Sequence, residues 1–215
     1  MKYIRRIPPS DKAVRDKLIS EGWERLKEPT SLGKAILLSI PFMIINSIIF
    51  MSIIFYIYPP FKEFLHNSND GLRIAFHVNL FPLVMYIIGT FVFVSIHEFL
   101  HACFIPNGLK SDKVYWGISG AAGFVYTTEK IKKGRFLIIC IVPFIVLSVI
   151  LPFILKALGW LNGYTIFLCL MNAAGASVDL LNICIISVQV PKNSYIINNG
   201  FETYYKQRTQ IYDLV

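Results

Sequence analysis

Charged residues are scarce in this chain of 215 residues. Only 16% of its residues are Asp, Glu, Lys or Arg, whereas 55% are hydrophobic. A soluble domain of this length carries roughly a quarter charged residues. The composition therefore argues against a soluble globular protein and is typical of a membrane protein.

Cysteine is also rare, and its spacing carries no motif. None of the four cysteines belongs to a CxxC pair, and all of them lie in apolar runs: Cys103, Cys140, Cys169 and Cys184. This pattern excludes a disulfide framework and a cysteine-rich zinc site. We interpret the cysteines as small, buried apolar residues.

Long apolar runs are what the sequence has in abundance. A membrane-spanning helix needs about 20 apolar residues, and four runs reach that length, at about 35–58, 79–105, 136–157 and 163–190. We therefore predict an all-α membrane protein with four transmembrane helices and a small β-hairpin in the loop between the second and the third. The predicted division is a basic segment with an amphipathic helix at 1–34, a four-span domain at 35–190 and a tail at 191–215.

Lysine and arginine are distributed unevenly over the polar regions. The N-terminal segment, the second loop and the tail together hold eighteen of them, and the first and third loops hold three. Basic residues mark the cytoplasmic side of a membrane protein. We therefore predict a multi-pass protein of the cell membrane with both termini in the cytoplasm. The net charge of +8 is then explained by topology and by contact with anionic lipid, and nucleic-acid binding is not expected.

The second run carries three polar residues, His97, Glu98 and His101, which spell H-E-x-x-H. On a helix the two histidines lie one turn apart on one face, so both imidazoles can bind one Zn²⁺. Glu98 is offset by about 100° around the helix, beside the metal, where it can act as general base on a water molecule. The alternative is a hydrogen-bonded His/Glu cluster that only holds helices together.

A catalytic zinc usually takes three protein ligands, and the motif supplies two. His66 and His77 are poor candidates because they lie toward the extracytoplasmic end. Asp179, the one acidic residue of the fourth run, lies on a helix that runs in the same direction as the second, at a similar depth to His97. We predict Asp179 as the third ligand; the alternative is a structural carboxylate paired with Lys or Arg.

Asn172 precedes Asp179 by seven residues and shares its helical face. Gly175 and Ala176 lie between them, and small residues allow another membrane helix to approach closely, which we expect to be the second span. We predict that Asn172 is catalytic and donates a hydrogen bond to a substrate carbonyl or to the oxyanion formed from it. The alternative is an amide that only links helices.

These motifs resemble those of the site-2-protease-like membrane metallopeptidases, and most of all the zincin peptidase family DUF3267. The resemblance covers roughly residues 80–190. It rests on "HEFLH", on the hairpin loop that ends in a basic stretch before "VPF", and on the N…G…D spacing of the fourth run. The chain lacks the proline of the site-2 protease pattern NxxPxxxxDG, and it also lacks the glycine of that pattern after Asp179.

The resemblance implies a zinc-dependent intramembrane endopeptidase with Glu98 as its base and with three zinc ligands, His97, His101 and Asp179. Its substrate would be a membrane-embedded or membrane-adjacent protein cut near the cytoplasmic face. The loop hairpin would hold an extended substrate by strand addition, or would simply connect two spans. Two other functions stay open, an inactive peptidase-like binding protein and a divalent-metal transporter.

Overall fold

Four long apolar helices form the body of the structure, a computed structural model that describes residues 1–60, 80–119 and 122–208. The first and second spans are the helices α2 (Leu32–Ile57) and α3 (Leu80–Phe104). The third and fourth are interrupted. All four are long and apolar enough to cross a membrane, which agrees with the predicted multi-pass protein.

The third span changes its helical form between two prolines. It consists of α4 (Lys133–Phe144), a π-helical segment (Ile145–Ile150) and α5 (Leu151–Ala157). A proline has no N–H and crowds the carbonyl four residues earlier, so a local change of helical hydrogen bonding at Pro143 and Pro152 is the expected response.

The fourth span consists of α6 (Gly163–Gly175) and α7 (Ser177–Gln189), separated at Ala176. Its small residues pack mainly on the first span, whereas we expected the second, which contributes Phe93 to the same cluster. Ala173 and Ala176 are fully buried in a cluster with Phe50 and Ile54 of α2, while Gly175 is exposed.

Hydrogen bonds made by side chains strengthen this contact of the first and fourth spans. The hydroxyl groups of Ser39 and Ser177 lie 3.1 Å apart, and Nδ2 of Asn46 donates to the carbonyl of Ala173 at 3.0 Å. Side-chain hydrogen bonds of this kind are typical of helix pairs in membranes. The second span is left to pack mainly on α4 and on the loop hairpin.

The protein is not all-α, because two β-sheets accompany the helices. The first sheet has the order β1-β3-β4 and the second the order β2-β7-β6-β5. Their strands are β1 (Lys2–Tyr3), β2 (Glu24–Arg25), β3 (Val114–Ser119), β4 (Ala122–Thr127), β5 (Ile131–Lys132), β6 (Ser194–Asn199) and β7 (Glu202–Gln207). The predicted loop hairpin is β3–β4. The turn residues Asn199-Gly200 also predict a hairpin in the tail, and the structure forms it as β6–β7. The prediction missed the two-residue strands β1, β2 and β5, because strands this short gain their order from pairing with distant segments and not from local propensity.

The sheets join the three basic regions of the chain at one end of the helices. β1 pairs in parallel with β3, β2 pairs with β7, and β5 pairs with β6. The N-terminal segment, the second loop and the tail are thus hydrogen-bonded to one another. This arrangement requires an even number of crossings between them, as four spans provide.

The predicted N-terminal helix is α1 (Lys12–Ser20), capped by the side chain of Asp11. Its buried residue, Leu18, packs with Trp23 and with Tyr204 of β7. The apolar side chains of Val14 and Ile19 stay exposed. The second sheet therefore covers part of the apolar face of α1.

Candidate metal centre

Three side chains from two separate spans converge near the end of α3 that faces the sheets. Nε2 of His97 and Nε2 of His101 lie 3.1 Å apart. The carboxylate of Asp179, from α7, lies 3.4 Å from the first nitrogen and 3.5 Å from the second. The structure thus brings together the three residues that the sequence predicts as metal ligands.

Asn172 determines which nitrogen of His97 carries the proton. Its Nδ2 donates to the carbonyl of Pro143 at 3.2 Å and to the hydroxyl of Ser148 at 2.8 Å. Because a carbonyl can only accept, these bonds fix the orientation of the amide. Oδ1 of Asn172 must then accept from Nδ1 of His97, 2.7 Å away, and the lone pair of His97 lies on Nε2.

His101 is held in the same tautomer by a backbone carbonyl. Its Nδ1 donates to the carbonyl of Ile139 at 2.8 Å. In a regular α-helix that carbonyl accepts from the residue four positions later, which here is Pro143 and has no N–H. The proline therefore leaves the Ile139 carbonyl available, and the lone pair of His101 also lies on Nε2.

The arrangement of these three ligands fits a divalent cation. With both Nδ1 atoms protonated, two nitrogen lone pairs and a carboxylate face one another at 3.1–3.5 Å. They repel one another unless a metal cation or an added proton lies between them. The ligand atoms of a tetrahedral zinc, with bonds of about 2.0–2.1 Å, are roughly 3.3 Å apart. The observed separations agree with this value, so the residues fit zinc.

The break in the fourth span contributes to the position of Asp179. Ala176 has ψ near 1° and ends the hydrogen-bonding pattern of α6, so that Asp179 falls in the first turn of α7. The first turn of a helix has unpaired N–H groups and favours a negative charge. The side chain of Asp179 is 18% exposed, so the centre is mostly enclosed but remains open to solvent.

Glu98 lies against the loop hairpin. Its carboxylate accepts a hydrogen bond from the backbone of Val125 and interacts electrostatically with both histidines and with Asp179. A Cβ atom on Gly123 would come within 2.7 Å of Cγ of Glu98. The glycine thus gives strand β4 the room to pack on this side chain.

The contacts of Asn172 favour a role other than the predicted one. Both of its amide hydrogens already have acceptors, and its oxygen accepts from His97. An oxyanion would need one of those hydrogens. We therefore interpret Asn172 as a positioning residue for His97. His66 and His77, which the prediction set aside as ligands, lie outside the described residues.

Sequence reasoning missed the residues that orient these ligands. Ile139 acts through its backbone, so no side-chain pattern could reveal it, although a proline inside an apolar run, Pro143, indicates a free carbonyl four residues earlier. Ser148 and Gly123 gave no signal of their own.

Comparison with known proteins agrees with this geometry. Neither the curated proteins nor the solved structures give a match. The model of the family DUF3267, described as "Putative zincin peptidase", matches residues 90–195, a range that includes every residue of the centre. Zincins are metallopeptidases that bind zinc through an H-E-x-x-H motif. Over these residues, about half of the chain, the protein is similar to the DUF3267 family.

Proposed function

We propose that the protein is a zinc-dependent intramembrane endopeptidase of the site-2-protease-like kind. It would hydrolyse peptide bonds of membrane-embedded or membrane-adjacent proteins near the cytoplasmic face. The observation that carries the proposal is the meeting of two Nε2 lone pairs and the Asp179 carboxylate within one centre. An H-E-x-x-H sequence that occurs by chance is not expected to have a third potential ligand beside it on another span.

His97, His101 and Asp179 would hold the zinc, and Glu98 would move the protons. Bound zinc acts as a Lewis acid on the scissile carbonyl and makes water acidic enough to react near neutral pH. Glu98 takes the proton of the attacking water and delivers it to the leaving amine. Its bond to Val125 holds the carboxylate at the side of the ligands.

The position of the centre supports a site near the cytoplasmic face. His97 and His101 lie in the last turns of α3, at the end where the sheets join the three basic regions. Basic regions remain in the cytoplasm when a membrane protein inserts. On this reading both termini are cytoplasmic, the protein lies in the cell membrane, and water reaches the centre from inside the cell.

Strand β4 is suited to hold a substrate chain in an extended form. The backbone N–H of Ile4 donates to the carbonyl of Trp116 at 2.9 Å, so Trp116 directs its polar backbone groups to β1. Its partner across the hairpin, Val125, therefore directs its own groups away from β3, toward Glu98. An added strand at this free edge would lie beside the base.

The proposal is tested with the variant Glu98→Gln in cells and as purified protein. The variant should bind as much zinc as the wild type, because glutamine has a similar shape and Glu98 is not a ligand. New protein N-termini that appear in membranes with the wild type should be missing with the variant. His97→Ala, the control, should lose both zinc and cleavage.

Other outcomes would point to the two remaining functions. If wild type and Glu98→Gln give the same N-termini, the protein binds zinc without peptidase activity. If the wild type moves Zn²⁺ across proteoliposome membranes, it is a transporter. Either result would contradict the proposed function.

A further inference from the structure

Two aromatic side chains are exposed together on the first sheet. Tyr3 of β1 and Trp116 of β3 are partners in the parallel ladder, and their rings meet edge to face with centroids 5.1 Å apart. Tyr3 is 57% exposed and Trp116 is 43% exposed. The sheet thus presents a contiguous aromatic surface that no described part of the chain covers; we call this surface the aromatic pair.

The face of the sheet that carries the aromatic pair is the face that packs on the membrane spans. Cross-strand partners and residues two positions apart share one face, so Trp116 shares its face with Val114 and Val125. These two valines pack with Ile105, beyond the end of α3, and with Ile139 of α4.

The first residue of the chain extends this contact. Met1 lies two positions before Tyr3 and packs on the same cluster of Ile105, Val114 and Ile139. One part of the face therefore rests on the ends of the second and third spans. The aromatic pair lies on the same face but is exposed, and in a membrane the surroundings of the spans are lipid.

Basic residues lie on the chain segments next to the aromatic pair. Five of them are exposed on the neighbouring segments: Lys2, Arg5, Arg6, Lys110 and Lys113. Of the acidic residues near them, Asp112 is paired with Lys2 at 3.5 Å. Tryptophan and tyrosine concentrate at the membrane–water interface, and basic residues beside them are attracted to anionic headgroups.

We propose that the aromatic pair is a membrane-interface anchor that inserts among the headgroups of an anionic leaflet beside the second span. The anchor ties the first sheet to the membrane surface at the same height as the ends of α3 and α4. It thereby holds β4 over Glu98 from the lipid side, while the bonds of the sheet hold it from the protein side. This inference does not require the protein to be a peptidase.

The three tryptophans of the chain allow a direct test. Trp23 is buried under Lys130, 6% exposed, and Trp160 is 64% exposed between the third and fourth spans, at the opposite end of the helices. The full protein is reconstituted in vesicles of mixed zwitterionic and anionic lipid. The acyl chains of the lipid carry bromine either near the headgroups or near their methyl ends. Wild type is compared with Trp116→Phe, Trp160→Phe and Trp23→Phe, each checked for unaltered zinc content and monodispersity.

Trp116→Phe should remove fluorescence emission that bromine near the headgroups quenches and that aqueous iodide does not quench. Trp23→Phe should remove emission that neither quencher reaches, and Trp160→Phe serves as a second exposed tryptophan. If iodide quenches Trp116 and bromine does not, the aromatic pair faces water and the anchor is excluded. If neither quencher reaches it, a protein surface such as a second copy covers the pair, and the anchor is equally excluded.

Discussion

The carbonyl of Ile139 accepts its hydrogen bond from His101 at 2.8 Å, across the contact of the second and third spans. It is available because Pro143 provides no N–H for it. The orientation of a metal ligand on one helix thus depends on a proline on another. Partners of this kind fix the tautomer of a ligating histidine and raise its basicity.

Replacing this proline should weaken metal binding without touching a ligand. In Pro143→Ala the new N–H competes with His101 for the carbonyl of Ile139. Loss of an outer partner of a zinc ligand typically costs roughly 10–100-fold in affinity, and we expect the lower end because a carbonyl has a second lone pair. Competition with a zinc chelator of known affinity measures the change.

Pro152→Ala is the matched control for that variant. Pro152 lies in the same span and is also buried. Four residues before it lies Ser148, which contacts Asn172 through its hydroxyl and not through its carbonyl. Replacing Pro152 should leave zinc affinity unaltered. Equal weakening by both variants would mean that the shape of the span, and not the Ile139 carbonyl, controls the centre.

Asn172 has two candidate roles, the positioning of His97 and the predicted donation to an oxyanion, and its replacement would change a different measured quantity in each case. If Asn172 positions His97 by accepting its hydrogen bond, Asn172→Ala should weaken zinc binding by about 10–100-fold. If Asn172 donates to the oxyanion, the same variant would have a lower kcat and an unchanged zinc affinity. Asn46→Ala is the control, since Asn46 is also buried in the helical core and, among the described residues, bonds to Ala173 alone.

Gly123→Ala should disturb the base while leaving the ligands in place. The added Cβ would lie 2.7 Å from Cγ of Glu98, so the carboxylate or the strand must move. A displacement of about 1 Å in a reacting group can cost on the order of 100-fold in rate. We expect a large loss of kcat with full zinc content, measured on any peptide that the wild type cleaves.

Gly134→Ala provides the control for the loss of glycine itself. A Cβ at Gly134 has no atom within 4 Å, so the substitution changes backbone freedom without a new contact. Activity should be retained. A Gly123→Ala variant as active as Gly134→Ala would show that Glu98 does not need the room that Gly123 provides.

The three residues of the candidate metal centre could be singled out because each gives a signal in the sequence. A charged or imidazole side chain in an apolar run is costly in a membrane and indicates function; this singled out His97, His101 and Asp179. Helix geometry then restricts the distances along the axis. The cost of polar residues in a membrane and the geometry of helices together indicate which residues can meet, without any knowledge of how the helices pack.

The surroundings of the ligands were not predictable in the same way. The small residues of the fourth span predict a close helix contact but not its partner, and the structure gives mainly the first span where we expected the second. A side chain as versatile as Asn172 can link helices or bind substrate, and only its neighbours decide. The short strands β1 and β2 exist through pairing with segments more than 100 residues away.

The free edge of β4 gives a prediction about the substrate. If the edge adds a strand from the substrate, backbone N–H groups of the substrate on one side of the scissile bond donate to carbonyls of β4. Methylating one such nitrogen in a cleaved peptide should therefore slow cleavage, and methylating the next nitrogen, which points away, should not. Scanning single N-methyl groups along the peptide would give rates that alternate with a period of two. Rates that do not alternate would mean that β3 and β4 only connect two spans, and the substrate would then be held by side chains alone.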